Sequence, residues 1–162
     1  MRSPIATAAI QPTAVVGDGW LGGFTAPRTA GQVIAAIKAA LKDAGRRIDE
    51  DHYGVVVPYR IGATDTPAVA RFRRAISERK DDLKSPSPAR PIAVGDLAAV
   101  VDIFRQFVDA GVSKFVAIPL ADDWQDLLVQ TELLADQIRL KIEDRRRRPA
   151  RWAPQRVRSP RA

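Results

Sequence analysis

The chain has 162 residues, 46% of them hydrophobic and 28% charged, with no cysteine. That length and balance suit one globular domain with its own core, and they exclude a disulfide framework, thiolate chemistry and a wholly disordered chain. The formal charge of +7 sits in one place: eight arginines and no acid follow Asp144, which leaves 18 basic residues against 19 acidic ones in positions 1–144.

The body is therefore close to neutral, and the high pI belongs to a tail. Residues 145–162 are Arg- and Pro-rich and read as disordered. The tail can touch anionic partners non-specifically, but Trp152 is its single aromatic, so nucleic acid is not the expected partner. No apolar run approaches the ~20 residues of a membrane span; residues 1–12 form a poorly defined N-terminal segment, and Met1 to Ile10 is too short and interrupted for a signal peptide. A cysteine-free chain fits a reducing compartment, which points to the cytoplasm.

In chain order, residues 3–10 read as a frayed strand or the remnant of a helix, interrupted at Gln11-Pro12. Val15 to Leu21 reads as a short strand running into a Gly17-Asp18-Gly19 turn that exposes Trp20. Pro27–Ala44 is predicted as a helix, with Val33, Ile34, Ile37 and Leu41 on one face, Thr29 as N-cap and Gly45 just past its end. Tyr53–Ile61 is predicted as a strand; its three consecutive valines suggest burial on both faces, and Pro58 suggests a bend or stop.

Thr66-Pro67 opens a second, surface-lying helix to about Lys80, with Val69, Phe72 and Ile76 as its thin apolar content. Lys84–Pro91 carries three prolines and reads as a loop. Gly95-Asp96 opens a third helix whose apolar positions are Leu97, Val100, Val101, Phe104 and Val108, closed by Gly111. Lys114–Leu120 is a strand ended at Pro119. Asp122 or Asp123 caps a fourth helix with Trp124, Leu127, Leu128, Leu134 and Ile138 on its apolar face. Strands alternating with helices predict parallel βα units, in a partial barrel or a small open sheet.

Several stretches resemble a known family. Val16-Gly17-Asp18-Gly19-Trp20-Leu21, the helix Thr29–Gly45, the run Val94-Gly95-Asp96 to Phe104, the run Phe107–Val116 and the final helix from Asp122 together resemble the luciferase-like superfamily. Within it they are most similar to the deazaflavin-dependent (coenzyme F420) oxidoreductases of actinobacteria, over roughly residues 13–143. The resemblance implies an α/β fold: a partial (β/α)8 TIM barrel, about its C-terminal half, in residues 13–144. It also implies F420 or FMN at the carboxyl ends of the strands, a small-molecule substrate, and hydride transfer or monooxygenation. A full-length relative carries a long N-terminal half that these residues do not match, so the expectation is a truncated or split member. Its open sheet edges would be covered by a second copy or a partner chain. The alternative is a non-enzymatic βα module that completes a partner.

By this resemblance Gly17, Asp18, Gly19 and Trp20 line one wall of a cofactor pocket, and Arg60, after Tyr59 at a strand end, meets a phosphate or an acidic cofactor tail. The competing interpretations are a tight turn with a packed Trp and a salt-bridged Arg. His52, the single histidine, reads as a solvated loop residue, and without cysteine it completes no metal site and no Ser-His-Asp triad. Asp122 and Asp123 read as helix caps rather than an acid–base pair. No residue stands out as catalytic.

Overall fold

The structure is a computed structural model and describes residues 7–82 and 92–147. Helix α1 spans Thr7–Val16 and strand β1 Trp20–Gly23. Helix α2 (Pro27–Asp43) leads through a single 3-10 turn, Glu50–His52, into strand β2 (Tyr53–Ile61). Helix α3 (Pro67–Asp82), strand β3 (Ala93–Gly95), helix α4 (Leu97–Asp109), strand β4 (Lys114–Pro119) and helix α5 (Trp124–Arg147) follow. The predicted loop Lys84–Pro91 and the tail beyond Arg147 lie outside the described residues.

Among the described residues every strand pairing is parallel, and β2 is the centre of the sheet. β1 pairs with Tyr53–Val56 and β3 with Tyr59–Ile61, so the two share one edge of β2 end to end. β4 takes the other edge, from Gly54 to Tyr59. Parallel strands joined by helical crossovers make this a section of a TIM-barrel-like α/β fold.

Alternation along β2 creates two faces. Tyr53, Val55, Val57 and Tyr59 face the main core with Ile34, Ile37 and Leu41 of α2 and Val100 and Phe107 of α4. Helices cover this face, as they cover the outside of a barrel. On the opposite face, Leu120 and Val94 form a second, smaller cluster with Ala68, Val69 and Phe72 of α3. α3 therefore lies over the carboxyl end of the face that looks inward in a barrel. The amino half of that face is bare: Leu21 is 60% exposed and Val116 47%. The triple valine is thus not buried on both sides throughout, because Val56 is half-exposed.

Local signals explain most boundaries. α2 and α4 end the same way, with Gly45 at φ +62 and Gly111 at φ +93. Arg46 N–H donates to Leu41 O and Val112 N–H to Phe107 O, the bonds of a Schellman stop, which needs the left-handed backbone that glycine reaches without steric cost. Asp96 caps α4 by accepting from Ala99 N–H at 2.8 Å.

Five expectations need correction. Residues 7–16 are a helix, so Val15 and Val16 end α1 rather than begin a strand, and Pro12 lies inside the helix. The Gly-Asp-Gly turn consequently precedes β1 instead of following it. Thr29 is not the N-cap of α2; Ala26 occupies that position, with Pro27 first in the helix, where its absent N–H costs nothing. Pro58 does not end β2, which runs through it to Ile61. Tyr53 O and Tyr59 O accept from the β4 side, so alternate residues turn their amides to β1 and β3; Pro58 faces the seam between those two strands, where no bond is needed. Finally, Val108, Trp124 and Leu128 face solvent at 50%, 69% and 44% exposure, while Phe107 takes the core position on α4. The side chain of Ile138 lies outside the described residues. β3, three residues long, has too little sequence to carry a periodicity.

Candidate functional site

The residues singled out in the sequence fall at opposite ends of the sheet. Trp20 is in register with Tyr53 at the start of β2, whereas Arg60 is near its end. Seven residues of strand at ~3.3 Å each put roughly 23 Å between the two levels. Gly17, Asp18, Gly19 and Trp20 belong to the amino end, and Arg60 and Pro119 to the carboxyl end.

At the amino end the turn is built for close packing. Gly17 N–H donates to Thr13 O at 3.0 Å, closing α1. Arg46 reaches across to the same helix terminus, donating from Nη1 to Ala14 O (2.9 Å) and from Nη2 to Gly17 O (3.1 Å). The Asp18 carboxylate is 95% exposed and 3.5 Å from Arg46. A Cβ on Gly19 would stand 2.8 Å from His52 O, and one on Gly22 would stand 2.4 Å from the Trp20 ring. Trp20 therefore lies over Gly22 and packs on the core, the role expected if the motif serves geometry.

His52 proves to be more than a solvated loop residue. Its Nδ1 is 2.7 Å from Asp18 O, an acceptor, so Nδ1 carries the proton and the imidazole pins the turn to the 3-10 segment. Nε2 is 3.7 Å from Asp51 Oδ1, and Lys114 Nζ is 3.7 Å from Asp51 Oδ2. His52 and Lys114 line an open depression of about 590 Å³ with Trp20, Leu21, Gly54 and Val116, and with Asp18, Gly19 and Phe115. No acid–base or nucleophile–base pair there is within the ~3.2 Å that proton transfer needs. No cluster of three metal-ligating side chains exists among the described residues.

The carboxyl end is organised by Arg60, 9% exposed. Its Nε donates to Ala63 O (3.2 Å), and Nη1 donates to Leu120 O (2.7 Å) and Asp126 Oδ2 (2.5 Å). Nη2 faces Asp122 at 3.9 Å, and Arg71 faces the same carboxylate at 3.8 Å. The hydrogen bond from Arg60 holds the Asp126 carboxyl below its ordinary value, against the opposing effect of burial. Asp123 caps α5 by accepting from Asp126 N–H at 2.9 Å. Asp122 acts on a different helix, accepting from Ala68 N–H in the first turn of α3 at 2.5 Å.

Gln130 completes the cluster. Its side-chain amide exchanges two bonds with the backbone of Ile61, at 2.8 and 3.0 Å, and its carbonyl accepts from Tyr59 Oη at 3.0 Å. Burial pushes the Tyr59 phenol up. Sequence reasoning passed over Gln130 and Asp126. The available signal was a polar residue, Gln130, on the stripe shared by Leu127 and Leu134. Nearby, Phe24 follows β1 with φ +45, a left-handed backbone costing about 1–3 kcal/mol for a residue of this kind. Packing of its ring against Phe72 of α3, centroids 5.7 Å apart, holds it there.

With this geometry in place, comparison with known proteins adds one finding. No protein-family model matches the chain, and no curated protein does. A solved structure does: an F420-dependent secondary alcohol dehydrogenase in complex with an F420-acetone adduct, at a TM-score of 0.52 and 14% identity. The likeness is one of fold. The match covers 70% of this chain and 41% of the dehydrogenase, so the chain spans well under half of that protein's length. The parallel strands alternating with helices in this chain accord with a partial barrel matched over part of a solved chain. No described helix is long and apolar enough to cross a membrane.

Proposed function

We propose that this chain is a section of a luciferase-like, deazaflavin-dependent oxidoreductase. It contributes staves to a barrel that, once complete, transfers a hydride between coenzyme F420 and a small organic substrate. The observation that supports this is the fold match to the F420-dependent secondary alcohol dehydrogenase. F420 is preferred to FMN, and hydride transfer to monooxygenation, on the same ground. The bare inward face at Leu21 and Val116 fits a stave that needs neighbours to cover it.

The cofactor supplies the redox chemistry; the protein positions its ring and excludes water. Gly17, Asp18, Gly19, Trp20 and Arg60 do not form one cradle for it. Gly17, Asp18, Gly19 and Trp20 lie at the wrong end of the strands, and Arg60 is held by protein partners. The cofactor's contacts therefore fall to the rest of the completed barrel.

The test joins this chain to the part of that dehydrogenase which the match leaves uncovered. The fusion and the chain alone are titrated with oxidised and reduced F420 and with FMN, followed by absorbance and fluorescence. We expect saturable F420 binding by the fusion. A fusion that melts cooperatively and binds neither cofactor overturns the proposal, and binding of FMN alone moves it to the flavin branch. The same bare face favours the second interpretation, an interaction module closed by a second copy or a partner chain. A chain that stays a monodisperse monomer at high concentration counts against that alternative.

A further inference from the structure

Barrel enzymes hold their ligands at the carboxyl ends of the strands. In this chain that end is already occupied. We infer that Arg60 is a structural latch rather than an anion ligand, and that with Asp122, Asp126 and α3 it closes the carboxyl end of the sheet to the acidic tail of a deazaflavin. The choice of cofactor rests on the function proposed above; the latch itself does not.

Three observations converge. First, the guanidinium has few donors left. Nε and Nη1 are engaged by Ala63 O, Leu120 O and Asp126, and the Nη2 donors face Asp122. A guanidinium offers five N–H groups in a fixed fork; three are bonded to protein acceptors and the two on Nη2 lie on the Asp122 side, so an incoming anion would have to share them with that carboxylate. Second, two carboxylates flank one Arg60, and the compensating Arg71 is at the solvent side with 64% of its side chain exposed. The two arginines and two carboxylates sum to zero, so the cluster offers an approaching anion no net positive charge. Third, α3 covers the inward face at this level, packing Ala68 and Val69 with Leu120. Asp122 fastens the helix there through Ala68 N–H.

The decisive experiment compares the full chain with Arg60→Gln and Asp126→Asn, reading F420 fluorescence and thermal melting together. A latch predicts lower melting temperatures in both variants and no F420 signal that depends on either residue. Loss of the cooperative melt in both variants is also the outcome of a latch. Saturable F420 binding that Arg60→Gln weakens tenfold or more overturns the inference. So does binding that Asp126→Asn tightens, because that substitution releases the guanidinium. Binding that ignores both substitutions lies elsewhere and leaves the latch standing. The barrel fusion separates this inference from the proposed function. If the fusion binds no F420, the function falls and the latch stands; if it binds F420 through Arg60, the latch falls and the function stands.

Discussion

The two ends of the sheet are finished in opposite ways. The carboxyl end is tied down by Arg60, Asp122, Asp126 and Gln130 and covered by α3. The amino end opens into a depression with Leu21 and Val116 exposed. In a complete barrel the carboxyl end carries the chemistry and the amino end carries stability. Here the carboxyl end has the features of a stability device. A motif found at a strand end thus gains meaning only when the direction of the strand is known.

Four principal substitutions and two comparison variants probe that contrast, and the largest effect belongs to the covered outer face. Phe107→Ala empties a fully buried aromatic site beside Phe115 and should lower unfolding free energy by about 3–5 kcal/mol in urea denaturation. By comparison Val116→Ser, on the bare face, should shift it by no more than about 0.5 kcal/mol. Similar costs at the two sites would mean that the inward face is not bare in solution.

Arg60→Leu comes next. It leaves Asp126, 20% exposed, without its main partner, and should cost about 3 kcal/mol. The pH dependence follows from the sign of the shift. The Asp126 carboxyl is depressed in the folded state, so its contribution is present above its ordinary value of 3.8 and is lost as pH falls through the lower folded value. Wild-type protein should lose stability on acidification below about pH 4, and Asp126→Asn should lose less over that interval. Parallel acid melts would sink the assignment.

Gly22→Ala ranks third. Its Cβ would stand 2.4 Å from the Trp20 ring, so the indole must move, at a cost of about 1–3 kcal/mol with a change in tryptophan emission. Unchanged emission and stability would show that the ring does not rest on Gly22.

Tyr53 ranks fourth, with an effect of the opposite sign. Its buried hydroxyl has no hydrogen-bond partner among the described residues, and burial pushes its phenol up. Tyr53→Phe removes an unsatisfied polar atom and should be neutral or stabilising by up to about 1 kcal/mol. A loss greater than that would show that the hydroxyl is bonded in solution.

Much of the fold was legible because local chemistry dictates it. Tyr53–Ile61 reads as a strand from its own composition, and α2 as a helix from the spacing of Ile34, Ile37 and Leu41. Gly45 and Gly111 mark helix ends because the Schellman stop needs a left-handed residue. The caps at Asp96 and Asp123 are set within a few residues of sequence. The α1 region was not legible, since Pro12 and a weakly amphipathic composition obscure a helix that packs on α2.

The candidate site was far less legible. Nothing in Gly17-Asp18-Gly19-Trp20 states whether the turn enters or leaves a strand, and only pairing of Trp20 with Tyr53 decides it. Arg60 reads equally as an anion ligand or an ion-pair partner. Its role depends on Leu120 and Asp126, separated from it by 60 and 66 residues of chain. The sequence alone determined the βα alternation, the neutral body and the helix stops, because propensity, spacing and caps act over a few residues. The tertiary structure alone decided which end of the sheet each motif occupies and which charges meet, because parallel pairing brings together residues that no local signal connects.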